Sequence, residues 1–245
     1  MESKFYQADE HRAEKVQELF ATIARRYDLL NDIMSAGLHR RWKRRLVELA
    51  TVSPGRNAAP TIAVLDLCCG TGDIAGLFAC SGASVVGADF TEEMLHVAAG
   101  RGGREKVSRL QWVQADALRL PFEDNSFDVV SVGYGLRNLA DIKKGLREIL
   151  RVLRLGGKFV SLDFGKPESK AFRAMYFGYL RTVLPILGRV FCGDPDTHGY
   201  ILASLQDYPA QRGIRELMES CGYRECGFEE FCLGSMAINF GEKPK

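Results

Sequence analysis

Apolar and polar positions change period along this chain. Val16, Leu19, Phe20, Ile23 and Tyr27 recur at three- and four-residue spacing, the stripe with which a helix buries one face. Residues 10–50 are therefore expected to be helical, an amino-terminal cap. Two prolines, a glycine and an asparagine within 51–60 mark a connector. From about Thr61 apolar runs at 62–67, 84–88, 110–114, 127–132 and 157–163 alternate with helical segments at 73–81, 91–101 and 141–153. Alternation of this kind predicts an α/β fold, a parallel sheet with right-handed crossovers. Gly156-Gly157 is expected to end the helix at 141–153 and turn the chain into the next strand. Residues 166–206, with Phe172, Met175, Tyr176, Phe177, Tyr179, Leu180, Val183, Leu184, Ile186, Leu187 and Phe191, interrupt the alternation as an apolar helical insertion. Such an insertion serves either as ordinary core or as the wall of a greasy substrate pocket. The stretch from Gly213 to Phe240 predicts a helix and then strands at 224–231 and 236–240, a hairpin that finishes the sheet. One domain is expected: cap 1–50, core 61–165, insertion 166–206, final helix and hairpin 207–245.

The strand ends carry the chemistry. Val64-Leu65-Asp66-Leu67-Cys68-Cys69-Gly70-Thr71-Gly72-Asp73 runs from an apolar strand through an acidic residue into a glycine turn. Gly70 and Gly72, flanking Thr71, can adopt backbone angles closed to other residues and let a ligand approach the main chain. The second strand closes on Asp89, followed by Phe90, and a carboxylate there can accept from both hydroxyls of a ribose. After the third strand, Asp116 and Ala117 stand where a carboxylate and a backbone amide would meet the edge of an adenine. Gly70, Gly72 and Ala75 also satisfy a dinucleotide fingerprint, so a nicotinamide cofactor stays open as an alternative. Asp66, placed to order the loop and hold an ammonium, and Asp116 favour S-adenosylmethionine. Ligands of open α/β sheets bind outside the carboxyl ends of the strands, so Asp66, Asp89, Asp116, Tyr134 and Asp163 should share one rim.

Composition narrows the partners. A formal charge of +2 on 245 residues, 26% of them charged, gives no global drive toward nucleic acid. One local patch stands out: His39-Arg40-Arg41-Trp42-Lys43-Arg44-Arg45 packs five cations around a tryptophan. It reads equally as a solvated helix face or as a contact with an acidic partner or with a membrane surface, peripheral to the inner face of the membrane. No apolar run reaches the length of a bilayer span. Seven cysteines, two of them adjacent, do not form a secreted disulfide framework, which points to a reduced, cytoplasmic setting. Cys221, Cys226 and Cys232 are too loosely spaced for a zinc knuckle and are expected to be small core residues.

Three further blocks carry a resemblance: Tyr27-Asp28-Leu29-Leu30-Asn31-Asp32 with Gly37-Leu38-His39-Arg40-Arg41-Trp42-Lys43; Gly133-Tyr134-Gly135-Leu136-Arg137-Asn138; and Arg151-Val152-Leu153-Arg154-Leu155-Gly156-Gly157 leading to Leu162-Asp163-Phe164. With the glycine loop, they resemble the quinone-biosynthesis C-methyltransferases that act on demethylmenaquinol and, in some organisms, on a ubiquinol precursor. The resemblance spans nearly the whole chain. It implies a class I S-adenosylmethionine-dependent methyltransferase fold, Rossmann-like, with a mostly parallel seven-stranded sheet whose last strand is antiparallel. It also implies methyl transfer to a ring carbon of a reduced polyprenyl quinol. Where some members carry a serine that contacts the donor, this chain has Gly133, leaving only backbone to serve; Cys68-Cys69, Leu155 and Asp163 also depart from common choices.

Such a reaction needs a group that takes the quinol proton or holds the resulting anion. Arg137 stays protonated at any working pH, so it would hold the phenolate or a base water, and Asn138 would orient that water. The competing reading pairs Arg137 with Asp116 or Asp163. Tyr27 and Asp28 would close the donor pocket, or merely pack helix on helix. Another small-molecule methyltransferase, a non-catalytic donor-binding scaffold and a homodimer all remain compatible with the sequence.

Overall fold

Helices α1 (Arg12–Ile23), α2 (Tyr27–Ser35) and α3 (His39–Thr51) form the cap. The computed structural model describes residues 12–24, 27–51, 61–101, 109–192 and 196–245. Beyond the cap the apolar runs pair into one sheet of β1 (Ala63–Leu67), β2 (Ser84–Asp89), β3 (Leu110–Gln114), β4 (Phe127–Gly133), β5 (Leu153–Phe164), β6 (Arg224–Phe231) and β7 (Met236–Glu242). The order is β3-β2-β1-β4-β5-β7-β6; β7 runs antiparallel to both neighbours and the other strands are parallel. Helices α4 (Asp73–Cys80), α5 (Glu92–Gly100) and α6 (Ile142–Val152) follow β1, β2 and β4. After β5 come α7 (Lys170–Cys192), α8 (Asp196–Asp207) and α9 (Ala210–Cys221).

Successive strand residues point to opposite faces, and the sheet uses this to build two cores. Val64, Val129, Val160 and Leu162 pack with Leu46 and Ala50 of α3 and with Ile74 and Phe78 of α4. Leu65, Leu67, Val130, Val132 and Phe159 pack with Leu146 and Ile149 of α6 and with Ile214 and Met218 of α9. Each large side chain so buried contributes ~1.5–3 kcal/mol. The same alternation puts Asp66 on the face of α4 and Asp163 on the opposite one.

Three expectations are corrected here. Gly156-Gly157 does not end the helix: α6 stops at Val152, because Leu153 turns extended (φ −67°, ψ 139°) and pairs with Phe127. The two glycines instead continue β5, with Gly156 at φ +73° and the pair Gly156 N–Lys243 O and Lys243 N–Gly157 O, both 2.9 Å, tying them to the end of β7. Cys232 is exposed rather than core, since it begins the reversal between β6 and β7, where Cys232 and Leu233 both take positive φ. The basic run on α3 is not a uniform solvated face either. Lys43 is buried against Asp73 (2.8 Å), Arg40 pairs with Asp32, and Arg45 forks onto Glu229 (3.0 and 2.7 Å). Arg41 and Arg44 stay exposed. Among the described residues no helix is long and apolar enough to cross a membrane.

The half-buried Trp112 shows how closely the donor side is packed. A Cβ on Gly87, its partner in register on β2, would lie 2.3 Å from the indole, and one on Gly72 would lie 2.5 Å from it. Gly87→Ala is therefore expected to cost ~1–3 kcal/mol by overpacking. Urea denaturation checks this, and a Trp112→Leu background should recover part of the loss.

Candidate active site

The carboxyl ends of β1, β2 and β4 open onto a cavity, the place where open α/β sheets bind ligands. Asp89, Asp116, Phe90 and Ala117 line it together with Gly70 and Gly133. The Asp89 carboxylate accepts from Gly70 N through Oδ2 (2.8 Å) and from Thr91 N through Oδ1 (2.9 Å). Burial raises the Asp89 carboxyl above its ordinary pKa. Gly70, at φ +54°, has nothing within 4 Å of where a Cβ would stand, so its backbone forms an open cradle. Asp116 Oδ1 accepts from Leu118 N (2.8 Å), which orders the turn that presents the buried Ala117. Phe90, 40% exposed, walls the cavity. A Cβ on Gly133 would meet Ile74 Cδ1 at 2.3 Å.

The remaining donor-side candidates act from behind this lining. Asp66 is fully buried and lies outside the cavity wall: Oδ2 accepts from Ala75 N (2.9 Å) and Oδ1 from Ser131 Oγ (2.7 Å). It thus fastens the first turn of α4 to β4, and burial pushes its carboxyl up to about 7. Thr71 is buried and also outside the wall, its carbonyl accepting from Arg101. Gly72, at φ +81°, opens α4 and accommodates Trp112. Tyr27 and Asp28 begin α2, but their side chains lie outside the described residues.

A second cavity lies beyond Tyr134, which borders both. Its walls are apolar and aromatic, including Met34 of α2, Leu38, Trp42 of α3, Phe164 of β5, Tyr179 of α7 and Met236 of β7. Asn31 and His39 supply polar atoms there. His39 is 3% exposed, with Nε2 3.2 Å from Asp32 Oδ1. Burial first, and then the charge of Lys43, lower its pKa to about 4, against the opposing pull of Asp32. His39 is remote from the strand ends in sequence, and the docking of α3 places it at this cavity.

Arg137 is placed differently from the expectation that it would hold a phenolate. Its guanidinium is 3% exposed and lines neither cavity. Nη1 donates to Asp163 Oδ1 (2.7 Å) and to the Tyr134 carbonyl (2.7 Å), and Nη2 donates to Tyr200 Oη (3.0 Å). The pairing with Asp163 is thus the arrangement seen. The physical reason is the strand period, which turns Asp163 inward under the 3₁₀ turn Leu136–Asn138. Asn138 does line the donor cavity, with Nδ2 3.4 Å from the Tyr134 carbonyl and Tyr200 beside it.

Two measurements follow. Arg137→Met leaves Asp163 as a buried unpaired charge and is expected to cost ~3–5 kcal/mol of stability, read by urea unfolding, beyond any effect on turnover. For Asp66, a folded pKa of about 7 above the unfolded value means the native state holds the extra proton, so this group's contribution falls as pH rises from about 4 to 7. Asp66→Asn removes that loss. Its stability relative to wild type should climb across this window by ~1.4 kcal/mol per pKa unit, measured as the difference in urea midpoints at each pH.

Known proteins share both the sheet and the sequence. A solved S-adenosylmethionine-dependent methyltransferase from Thermotoga maritima superposes with a TM-score of 0.63 at 16% identity, over 92% of this chain and 99% of that one. The phosphoethanolamine N-methyltransferase 2 of Haemonchus contortus, solved with S-adenosyl-L-methionine, gives 0.61 at 18% identity, over 84% of this chain and 53% of that one. At such identities they establish the fold. In sequence, the ubiquinone/menaquinone biosynthesis C-methyltransferase UbiE of Ectopseudomonas mendocina is 38% identical over 96% of this chain and 91% of its own. The demethylmenaquinone methyltransferase of Desulfitobacterium hafniense is 35% identical over 96% and 92%. The model of the ubiE/COQ5 methyltransferase family matches residues 7–243. With that match over almost its full length, the chain belongs to the ubiE/COQ5 methyltransferase family.

Proposed function

We propose that this chain transfers a methyl group from S-adenosylmethionine to a ring carbon of a reduced polyprenyl quinone, converting demethylmenaquinol to menaquinol. The observation that carries the reading is the pair of cavities meeting at Tyr134, one edged by strand-end carboxylates and the other apolar. Relatives named for C-methylation in ubiquinone and menaquinone biosynthesis support it.

In the first cavity Asp89 would accept from the ribose hydroxyls, Asp116 and the Ala117 amide would meet the adenine edge, and Phe90 would pack on the base. The Gly70 cradle and the backbone of Gly133 would take the methionine portion. Bound there, S-adenosylmethionine supplies an electrophilic methyl group on a sulfonium. Asp66, Thr71 and Gly72 hold the turn in shape, and Asn138 positions the Tyr134 wall. Holding methyl and ring carbon in near-attack geometry supplies part of the barrier reduction. The chain's own contribution is alignment and exclusion of water between the two cavities.

In the second cavity the quinol ring would lie between aromatic walls, with its tail leaving past α7. The insertion would then act as a lid on the acceptor. Leu29, Ile33, Leu38, Met175, Tyr179 and Leu233 are exposed apolar residues on α2, on α7 and on the turns beside this cavity, and Arg41 and Arg44 are exposed on α3. A rim of this composition suits a peripheral contact with an anionic membrane surface, from which a polyprenyl tail need never fully enter water.

Transfer of label from S-adenosylmethionine to a ring carbon of reduced demethylmenaquinone tests the reaction. Leu38→Asp and Tyr179→Asp are expected to raise KM for long-tailed quinols at least ~10-fold, ~1.4 kcal/mol of lost binding, with little change for a one-prenyl analogue. Equal KM changes for both acceptors would place the tail elsewhere.

A further inference from the structure

Two buried polar atoms stand out in the second cavity. His39 Nδ1 and Asn31 Nδ2 have no hydrogen-bond partner among the described residues, and both residues line that cavity. Leaving such an atom unsatisfied costs ~1–3 kcal/mol, a cost that a ligand hydroxyl would remove. We propose that His39 Nδ1 accepts the proton of a quinol hydroxyl while Asn31 Nδ2 donates to the same oxygen, with Asp32 fixing the imidazole tautomer. The proposal rests on the quinol reading above.

The geometry decides which nitrogen is the base. Nε2 lies 3.2 Å from Asp32 Oδ1, and a proton on Nε2 is the one that sits beside the carboxylate, so the neutral ring is taken as the Nε2-protonated tautomer. Nδ1 is left with its lone pair. Arg40 grips the same carboxylate and His39 N donates to Ser35 Oγ (3.3 Å), so the carboxylate and the His39 backbone are anchored. The charged groups around the ring are Asp32 on α2, Arg40 and Lys43 on α3 and Asp73 on α4. Asp32 and Asp73 favour the imidazolium, while Arg40, Lys43 and burial oppose it. The ring is consequently neutral, and able to accept, throughout the neutral range.

A base this weak would not ionise a resting quinol, whose hydroxyl loses its proton only in alkaline solution. It need not do so. As a ring carbon bonds to the methyl carbon and the methyl–sulfur bond breaks, its electron pair staying on sulfur, the ring takes up positive charge and the hydroxyl becomes strongly acidic. The hydroxyl proton passes to Nδ1 at that stage, leaving a neutral dienone whose carbonyl oxygen accepts from Asn31. Loss of the ring C–H proton to water then restores the aromatic ring, as His39 returns its proton to the oxygen. The sum is one methyl gained, one proton released and no net change in His39.

The test uses full-length protein and 2-prenyl-1,4-naphthohydroquinone kept reduced under anaerobic conditions. His39→Gln is expected to lower kcat by ~10²–10⁴-fold, the usual share of general-base catalysis, with donor affinity and thermal midpoint near wild type. That defect should shrink as pH is raised toward ionisation of the quinol, a response a merely structural role would not give. Asn31→Ala should lose ~10-fold, about one hydrogen bond to developing charge. Without donor, the ¹⁵N resonance of His39 Nδ1, assigned by its loss in His39→Gln, should shift on adding the quinol and not on adding its dimethyl ether. Wild-type transfer with His39→Gln within threefold of it, a defect independent of pH, or an unmoved Nδ1 resonance would each overturn the proposal. Absence of transfer by the wild type would overturn the quinol reading and this proposal with it.

Discussion

A single buried ion pair holds the wall between the two cavities. Taking Arg137 and Asp163 out of water costs several kcal/mol per ion, and the fold offsets this with unusually complete contacts. Beyond Asp163, the guanidinium meets the Tyr134 carbonyl and the Tyr200 hydroxyl, and its carbon lies 4.9 Å from the Phe164 ring centre and 5.7 Å from that of Tyr200. These groups come from the end of β5, the turn after β4 and the helix α8. Tyr134, in turn, sits at φ +60°, a conformation that costs a non-glycine residue ~1–2 kcal/mol. It is kept there by the Arg137 bond to its carbonyl and by its own N–H bond to Leu162 O (2.7 Å). The residue that divides the two cavities is thus over-determined by the pair.

The second cavity depends on how α3 docks. Two of its charges pair with other elements, the buried Lys43 with Asp73 at the start of α4 and Arg45 with Glu229 of β6, and Trp42 lies against Phe231 at 6.3 Å. Asp73 also meets Arg101, whose guanidinium reaches the Thr71 carbonyl in the donor loop. One carboxylate therefore couples the helix that carries His39 to the turn beneath the donor cavity. The acceptor space has no wall before this docking, because its lining comes from α2, α3, α7 and the reversal between β6 and β7.

The legible parts of this chain were those governed by local pattern. Strands β1 to β4 and the glycine turn followed from runs of apolar residues and from φ requirements, and Asp89 and Asp116 fell at the cavity edge because strand ends define it. Gly156-Gly157 misled because a glycine pair reads alike as a helix stop and as an irregular strand, and only pairing with β7 decides. Arg137 looked like a site residue on the strength of its turn. Its partner Asp163 is fixed by strand parity, and its burial by α8, neither of which a local motif expresses. His39 was illegible for a further reason: its neutrality comes from the burial it gains when α3 docks, together with the charge of Lys43, against the opposing pull of Asp32 and Asp73.

Charge conservation explains why an imidazole suits this acceptor cavity better than a carboxylate. Burial, with the charge of Asp89 adding to it, pushes Asp66 up to about 7 even with two hydrogen bonds, so a carboxyl facing apolar walls would be largely protonated and a poor proton acceptor. A neutral imidazole carries no charge to desolvate in the resting site. When the methyl is transferred, the positive charge leaves sulfur, and the proton taken up by His39 restores one positive charge to the same enclosed space. The site's net charge is then the same before and after the bond-forming step. In a medium that solvates charge poorly, that constancy removes most of the reorganisation that creating or destroying a charge would demand.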